Sequence, residues 1–285
     1  MGLVIAEISY TNILPLFYSI DRDRLIKDGC KFIPKIPSKL NEAMANGTVD
    51  VGGISSFAYG EHIEEYVLLP NLSVSSLKEV GSIFLFSKVP ITELNGKSIG
   101  LTSSSATSVN LLKILLKKYY DLNSLYETMD PDYKTMMDKH DACLLIGDDA
   151  ILTLWHANEN IHRYDLGELW EHFTGYPMTF AVVAVRKDAW EKEPELLEIL
   201  FEEFQSSKQA VIENQFEEMI KDIREKMGGS KAFWDNYFSG LNYDLTVRHI
   251  EGLHLYYDLA YELGLLHNKV KNISLWQPAG YCQSV

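Results

Sequence analysis

Apolar residues recur along this chain in two alternating rhythms. Short runs rich in Val, Ile and Leu fit buried strands: 3–8, 31–36, 49–54, 65–70, 82–87 and 97–101, then one beginning at 141 and a long one over 176–186. Between them lie segments with helical spacing. Pro37 opens one that runs through Met44, with Ser38 as its expected cap and Gly47 just beyond its end. In 109–120, Leu111, Leu112, Leu115, Leu116 and Tyr119 share one face. After Arg186 the pattern is helical almost throughout: 187–227 with one or two breaks, then 232–238 and 245–265. Strand–helix–strand order predicts mostly parallel sheets with helices on their faces, and a helical C-terminal tail.

The order also predicts how the chain is divided. One lobe is expected to comprise residues 1–88 and 178–285, and a second residues 89–177. The chain then crosses twice between lobes, near Lys88-Val89-Pro90 and near Gly175-Tyr176-Pro177, and the two crossings form a hinge beside a cleft.

Four strand ends carry polar clusters: Ser9-Tyr10-Thr11-Asn12, Ser55-Ser56, Thr102 to Ser108, and Gly147-Asp148-Asp149. Ligands of open α/β sheets bind outside the carboxyl ends of strands. Helices that start there present free N–H groups and a positive dipole end, which suits carboxylate or phosphate. Serine and threonine are also ordinary helix caps, so a single cluster proves little. Four at comparable ends point to one shared cleft. Asn12 can hold a substrate hydroxyl through its amide or simply turn the chain before Pro15. Ser82 starts an apolar strand and either faces the cleft or sits at a strand edge. Asp148 and Asp149 fit an acid/base pair, a metal site or a helix cap.

Composition narrows the partners. With 46% apolar and 23% charged residues in 285, the chain reads as globular and large enough for two lobes. A net charge of −14 disfavours nucleic acid and acidic membrane surfaces. Three scattered cysteines, Cys30, Cys143 and Cys282, include no CxxC pair and point to a reducing compartment. No secretion-type leader is recognisable and no apolar run reaches the ~18 residues of a membrane span, so the expected location is the cytoplasm. The eight histidines show no metal-binding spacing, and GxSxG, GxGxxG and GxxxxGK[ST] are absent.

Several of these stretches together carry a family resemblance. "SYTNILPLF", "GTVDVGGISSFAY", "SIFLFSKVPITELNGKSIGLTSSSATSVNLLKILL", "DACLLIGDDAIL" and "DLGELWEHFTGYPMTFAVVAVR", in this order from about 5 to 186, resemble the chorismate dehydratases of the futalosine route to menaquinone. A sister enzyme of that route, which acts on dehypoxanthinyl futalosine, shares the fold. Its Ser-Pro-Cys-Pro-Asn-Asp type turn after the first strand is replaced here by "SYTN". The resemblance implies a two-lobed type II periplasmic-binding-protein fold. It implies loss of water from chorismate, a small dicarboxylate, to give 3-[(1-carboxyvinyl)oxy]benzoate without metal or redox cofactor. It places Asn12 and Ser82 in catalysis, and Ser9, Tyr10, Ser55, Ser56, Ser105, Thr107, Ser108 and Asp148 around the substrate. The general base is left open between the substrate's own enolpyruvyl carboxylate and Asp148. A non-catalytic solute-binding protein of the same fold is the remaining alternative.

Overall fold

A computed structural model describes residues 2–277 apart from Ser9, Ala157 and Glu159. In chain order its elements begin β1 (Val4–Ile8), α1 (Leu14–Phe17), α2 (Arg22–Lys27), β2 (Lys31–Lys35), α3 (Pro37–Ala45), β3 (Val51–Ser55), α4 (Ser56–Glu61) and β4 (Tyr66–Ser76). Next come β5 (Ile83–Ser87), β6 (Ser98–Thr102), α5 (Ala106–Ile114), β7 (Leu125–Met129), α6 (Tyr133–Lys139), β8 (Ala142–Ile146), α7 (Gly147–His156), β9 (His162–Asp165) and α8 (Leu166–Thr174). The chain continues through β10 (Met178–Arg186), α9 (Lys187–Lys192), α10 (Pro194–Glu213), α11 (Glu217–Met227), α12 (Lys231–Gly240), β11 (Leu241–Asn242) and α13 (Val247–Glu262).

The strands form two sheets, one ordered β11-β4-β10-β3-β1-β2 and the other β7-β6-β8-β5-β9. Both are mixed. Parallel pairing is confined to β2-β1-β3 and β7-β6-β8, and β4, β10, β11, β5 and β9 pair antiparallel. The parallel core of each sheet is where strand–helix–strand units alternate most regularly. The antiparallel strands are those flanking the passages from one sheet to the other.

The first passage lies earlier than expected. β5 belongs to the second sheet, antiparallel to β8 with Ile83 opposite Ile146, so the chain changes sheets within 77–82 and not at Lys88-Val89-Pro90. The cause is the length of β4. It continues past Pro70 through an irregular register in which Asn71 adopts a φ of 56°. Its serines find partners inside the sheet: Ser73 donates to the Asp244 carbonyl at 2.6 Å and Ser75 to Thr179 Oγ1 at 3.0 Å. Hydroxyls satisfied in this way let a polar stretch run as a buried strand.

Side chains cap the starts of α2, α4, α5, α6, α8 and α12, whereas α1, α3, α9, α10 and α11 start without one. Gly47 takes φ +74° just past α3, as a terminating glycine does. Ser38 is not the cap: Ile36 holds that place and Ser38 lies inside the first turn. The break between α10 and α11 falls at Gln215 and Phe216, both with positive φ (50° and 59°). The helical tail packs on both sheets' elements, α10 against α1 and α13 against β10, α4 and α5.

Glycines pin both passages. A Cβ on Gly167 would lie 2.6 Å from the Lys78 carbonyl, and one on Gly252 2.6 Å from the Pro177 carbonyl. These are backbone atoms and cannot swing aside. Gly252→Ala is therefore expected to destabilise the protein by about 1–3 kcal/mol despite the better helix propensity of alanine, which returns only ~1 kcal/mol. Denaturant unfolding of the two proteins checks this, and an unchanged midpoint would mean that α13 is free to shift.

Candidate functional site

The carboxyl ends of β1, β3, β6 and β8 meet between the two sheets. β1 delivers Tyr10 and Asn12, β3 ends at Ser55, β6 leads to Ser105 and Ser108, and β8 leads through Gly147 into α7. Tyr10, Asn12, Ser55, Ser105 and Ser108 line one cavity, whose apolar walls include Ile13, Val74, Ile83, Ile146 and Phe180 and whose free volume is only about 50 Å³. Among the described residues no lysine, arginine or histidine lines it. An anion there meets hydroxyls, an amide and backbone dipoles.

Two of these serines cap helices as well as face the cavity. Ser105 Oγ accepts the Ser108 N–H at 3.1 Å at the start of α5, and donates to Ser108 Oγ, also at 3.1 Å. Ser55 Oγ accepts the Ala58 N–H at 3.2 Å. Asn41, on α3, grips Ser55 twice: Nδ2 donates to Ser55 Oγ and Oδ1 accepts the Ser55 N–H, both at 3.2 Å. The bonds that fix the helix starts thus also fix the polar wall.

The remaining residues expected at the substrate hold the wall from behind. Ser56 is fully buried and donates to the Thr179 carbonyl at 2.8 Å. Thr107, also buried, accepts the Phe57 N–H at 3.0 Å, while its carbonyl accepts from Tyr256 at 3.1 Å. Ser82 is buried and its Oγ accepts from the Tyr237 hydroxyl at 3.1 Å. Asp148 Oδ1 accepts from Thr11 Oγ1 at 2.6 Å and from the Thr11 N–H at 3.2 Å. None of these four lines the cavity. Ser9 lies outside the described residues.

These bonds run between the halves. Thr11 and Phe57 belong to elements of the first sheet, and Asp148 and Thr107 to elements of the second. Tyr10 adds a longer contact, its hydroxyl donating to Asp149 Oδ2 at 3.4 Å. Its ring covers Gly147, where a Cβ would sit 3.1 Å from Tyr10 Cγ. Gly147 also has φ +58°, so a glycine is required there twice over. Burial raises the pKa of the Tyr10 phenol. Burial also raises Asp148, against the pull of the Thr11 donors, and Asp149.

Burial pushes the Cys143 thiol up to about 12 and the Cys30 thiol up to about 11, far from a nucleophilic thiolate. Among the described residues no group of three or more His, Cys, Asp or Glu is placed to hold a metal ion. No described helix is long and apolar enough to cross a membrane.

Sequence reasoning missed Asn41, Thr11 as an anchoring residue, and Tyr237. Asn41 sits in a helix with an ordinary polar face, and Tyr237 in an aromatic stretch that looks like packing. Neither carries a local signal.

A two-lobed α/β binding-protein fold with its cleft at the strand ends defines the class. Protein AF1704 of Archaeoglobus fulgidus shares it with a TM-score of 0.74 at 19% identity, covering 93% of this chain and 98% of that one. The alkanesulfonate-binding protein SsuA of Xanthomonas axonopodis pv. citri shares it at 0.70 and 14% identity, covering 94% and 95%. These are proteins of the periplasmic-binding-protein fold, and at such identities the likeness concerns the fold alone. The sequence is more specific. Residues 3–262 match the family described as menaquinone biosynthesis, and the chain belongs to that family. A chorismate dehydratase of Thermus thermophilus is 34% identical over 193 residues, which cover 63% of this chain and 68% of that protein.

Proposed function

We propose that the chain is a hydro-lyase that converts chorismate to 3-[(1-carboxyvinyl)oxy]benzoate in the futalosine route to menaquinone, acting in the cytoplasm. The observation that carries this is the convergence of Asn12, Ser55, Ser105 and Ser108 on one cavity, in a chain of the menaquinone biosynthesis family. In the reaction the ring carbon bearing the enol ether loses its proton, and the neighbouring C–O bond breaks. Hydroxide takes up a proton and leaves as water, and the ring becomes aromatic. Nothing is oxidised or reduced overall, so the chemistry calls for positioning more than for a cofactor.

The chain's residues divide the work. Ser105, Ser108 and the start of α5 hold a carboxylate. Ser55 and Asn12 face it across the cavity, with Asn12 aimed at the ring substituents. Ser82, which does not line the cavity in this arrangement, borders it behind the Ile83 wall and would meet the leaving hydroxyl only once that wall shifts. The proton goes to the substrate's own enolpyruvyl carboxylate, held close enough to act intramolecularly. Asp148 is the weaker base candidate, because Thr11 occupies it and it does not line the cavity.

The two sheets act as lobes that close on the substrate. The lobe boundaries follow the passages at 77–82 and 175–177, a shift from the 88/89 boundary expected of the sequence. The bonds Thr11–Asp148 and Phe57–Thr107 then belong to the closed arrangement, which excludes water from the cavity. Protein treated with EDTA and desalted is expected to consume chorismate at the untreated rate, followed as loss of its absorbance. Activity that vanishes and returns only with added metal would refute the cofactor-free mechanism.

A further inference from the structure

We propose that Tyr237 is a positioning residue for Ser82, an inference that rests on the chorismate reading above. Tyr237 lies on α12, in the helical tail. Its ring packs among Trp234, Phe238 and Phe233, at centroid distances of 5.7, 5.0 and 6.3 Å. A Cβ on Gly81, at the passage between sheets, would come within 3.1 Å of it. A phenylalanine would fill this space as well. Only the hydroxyl is left unexplained by packing.

That hydroxyl stands where three distant parts of the chain meet. It donates to Ser82 Oγ at 3.1 Å, and Thr11 and Asp148 lie near enough to act on its ionisation. Thr11 in turn is tied to Asp148 at 2.6 Å, and the Ser82 carbonyl accepts the Gly147 N–H at 2.7 Å. Because the phenol donates to Ser82 Oγ, the serine hydrogen is not committed to Tyr237 and stays available to donate a hydrogen bond toward the leaving hydroxyl, whose proton comes from the carboxylate that removed it from the ring. Thr11, which precedes Asn12 directly, is held by Asp148. Burial pushes the phenol well above its ordinary value, with Asp148 and Asp165 acting in the same direction, so it stays a neutral donor. It positions and does not exchange protons with the substrate.

Tyr237→Phe tests this by steady-state kinetics with chorismate. The expected result is a kcat lower by about tenfold to a hundredfold, the scale of a small misplacement in a reacting constellation. KM stays nearly unchanged, as do the melting temperature and the shape of the pH profile. Tyr237→Phe combined with Ser82→Ala is expected to be no slower than Ser82→Ala alone, because the two act as one unit. Wild-type kcat in Tyr237→Phe, fully multiplicative losses in the double variant, or a displaced pH limb would overturn the inference while leaving the chorismate reading in place. A wild-type protein inert toward chorismate would refute both. Should Tyr237→Phe fail to fold, Ser82 provides the other end: Ser82→Ala is expected to lower kcat by about tenfold or more, and a wild-type kcat in it would overturn the proposal.

Discussion

Asn12→Ala is expected to lower chorismate turnover by about 10²–10³-fold, the usual cost of one well-aimed polar group in an active site. The fold should survive. Asn12 stands in a short 3-10 turn, Thr11–Ile13, whose stability comes from Ile13 in the core and from Thr11 on Asp148. Asn12 lines the cavity beside Ser105 and Ser108 and lies at the surface of the turn rather than in its core. Removing its amide therefore subtracts a contact to substrate and little else. Comparison of kcat and KM, with circular dichroism as the control for folding, decides the matter. Near-wild-type kinetics would take Asn12 off the catalytic list.

The largest effect on stability should come from Asp165→Ala. This carboxylate is buried, 5% exposed, where the first passage meets α8. It accepts the N–H groups of Val80 at 3.1 Å, Gly81 at 2.7 Å, Gly167 at 2.8 Å and Glu168 at 3.1 Å. Alanine leaves all of these donors without an acceptor. A buried, unsatisfied donor costs about 1–3 kcal/mol, so the loss should be at least ~3 kcal/mol even after local relaxation and water entry. Asp165→Asn, which keeps one acceptor oxygen, should fall between. Urea unfolding of the three proteins measures this. A loss below ~1 kcal/mol for the alanine variant would mean that the passage finds other acceptors. Because 77–82 is also the approach to Ser82, the variant should lose activity along with stability.

Much of the fold was legible because its central strands are buried on both faces. β3 and β8 are buried at every position, and their continuous apolar runs are visible without an alignment. The strands that escaped notice are at edges. β7, with Leu125 to Thr128 all exposed, and β9, His162–Asp165, lack an apolar run because one side of each has no neighbour. β4 was cut short because serine after serine reads as loop until Thr179 and Asp244 supply partners.

The site was legible as a place more than as a set of contacts. Strand ends rich in serine and threonine come together around one cavity. Which of two adjacent hydroxyls faces it was not readable. At the end of β3 neighbouring side chains point to opposite sides, so Ser55 meets the cavity and Ser56 turns inward to Thr179. Within 105–108, Ser105 and Ser108 share the outer face of the first turn while Thr107 is turned toward Phe57. Asp148 looked like a substrate or acid/base group, yet its partner is Thr11, 137 residues away. Contacts of that range depend on how the two sheets are placed, and no local pattern encodes them.

The central claim is tested most directly by giving the purified protein chorismate and dehypoxanthinyl futalosine side by side and identifying the products by NMR and mass spectrometry. Chorismate should be consumed with formation of one aromatic product lighter by a single water, its carboxyvinyl ether intact at the ring position next to the lost hydroxyl, and dehypoxanthinyl futalosine should be returned unchanged. Unchanged chorismate, or conversion of dehypoxanthinyl futalosine in its place, would contradict the assignment.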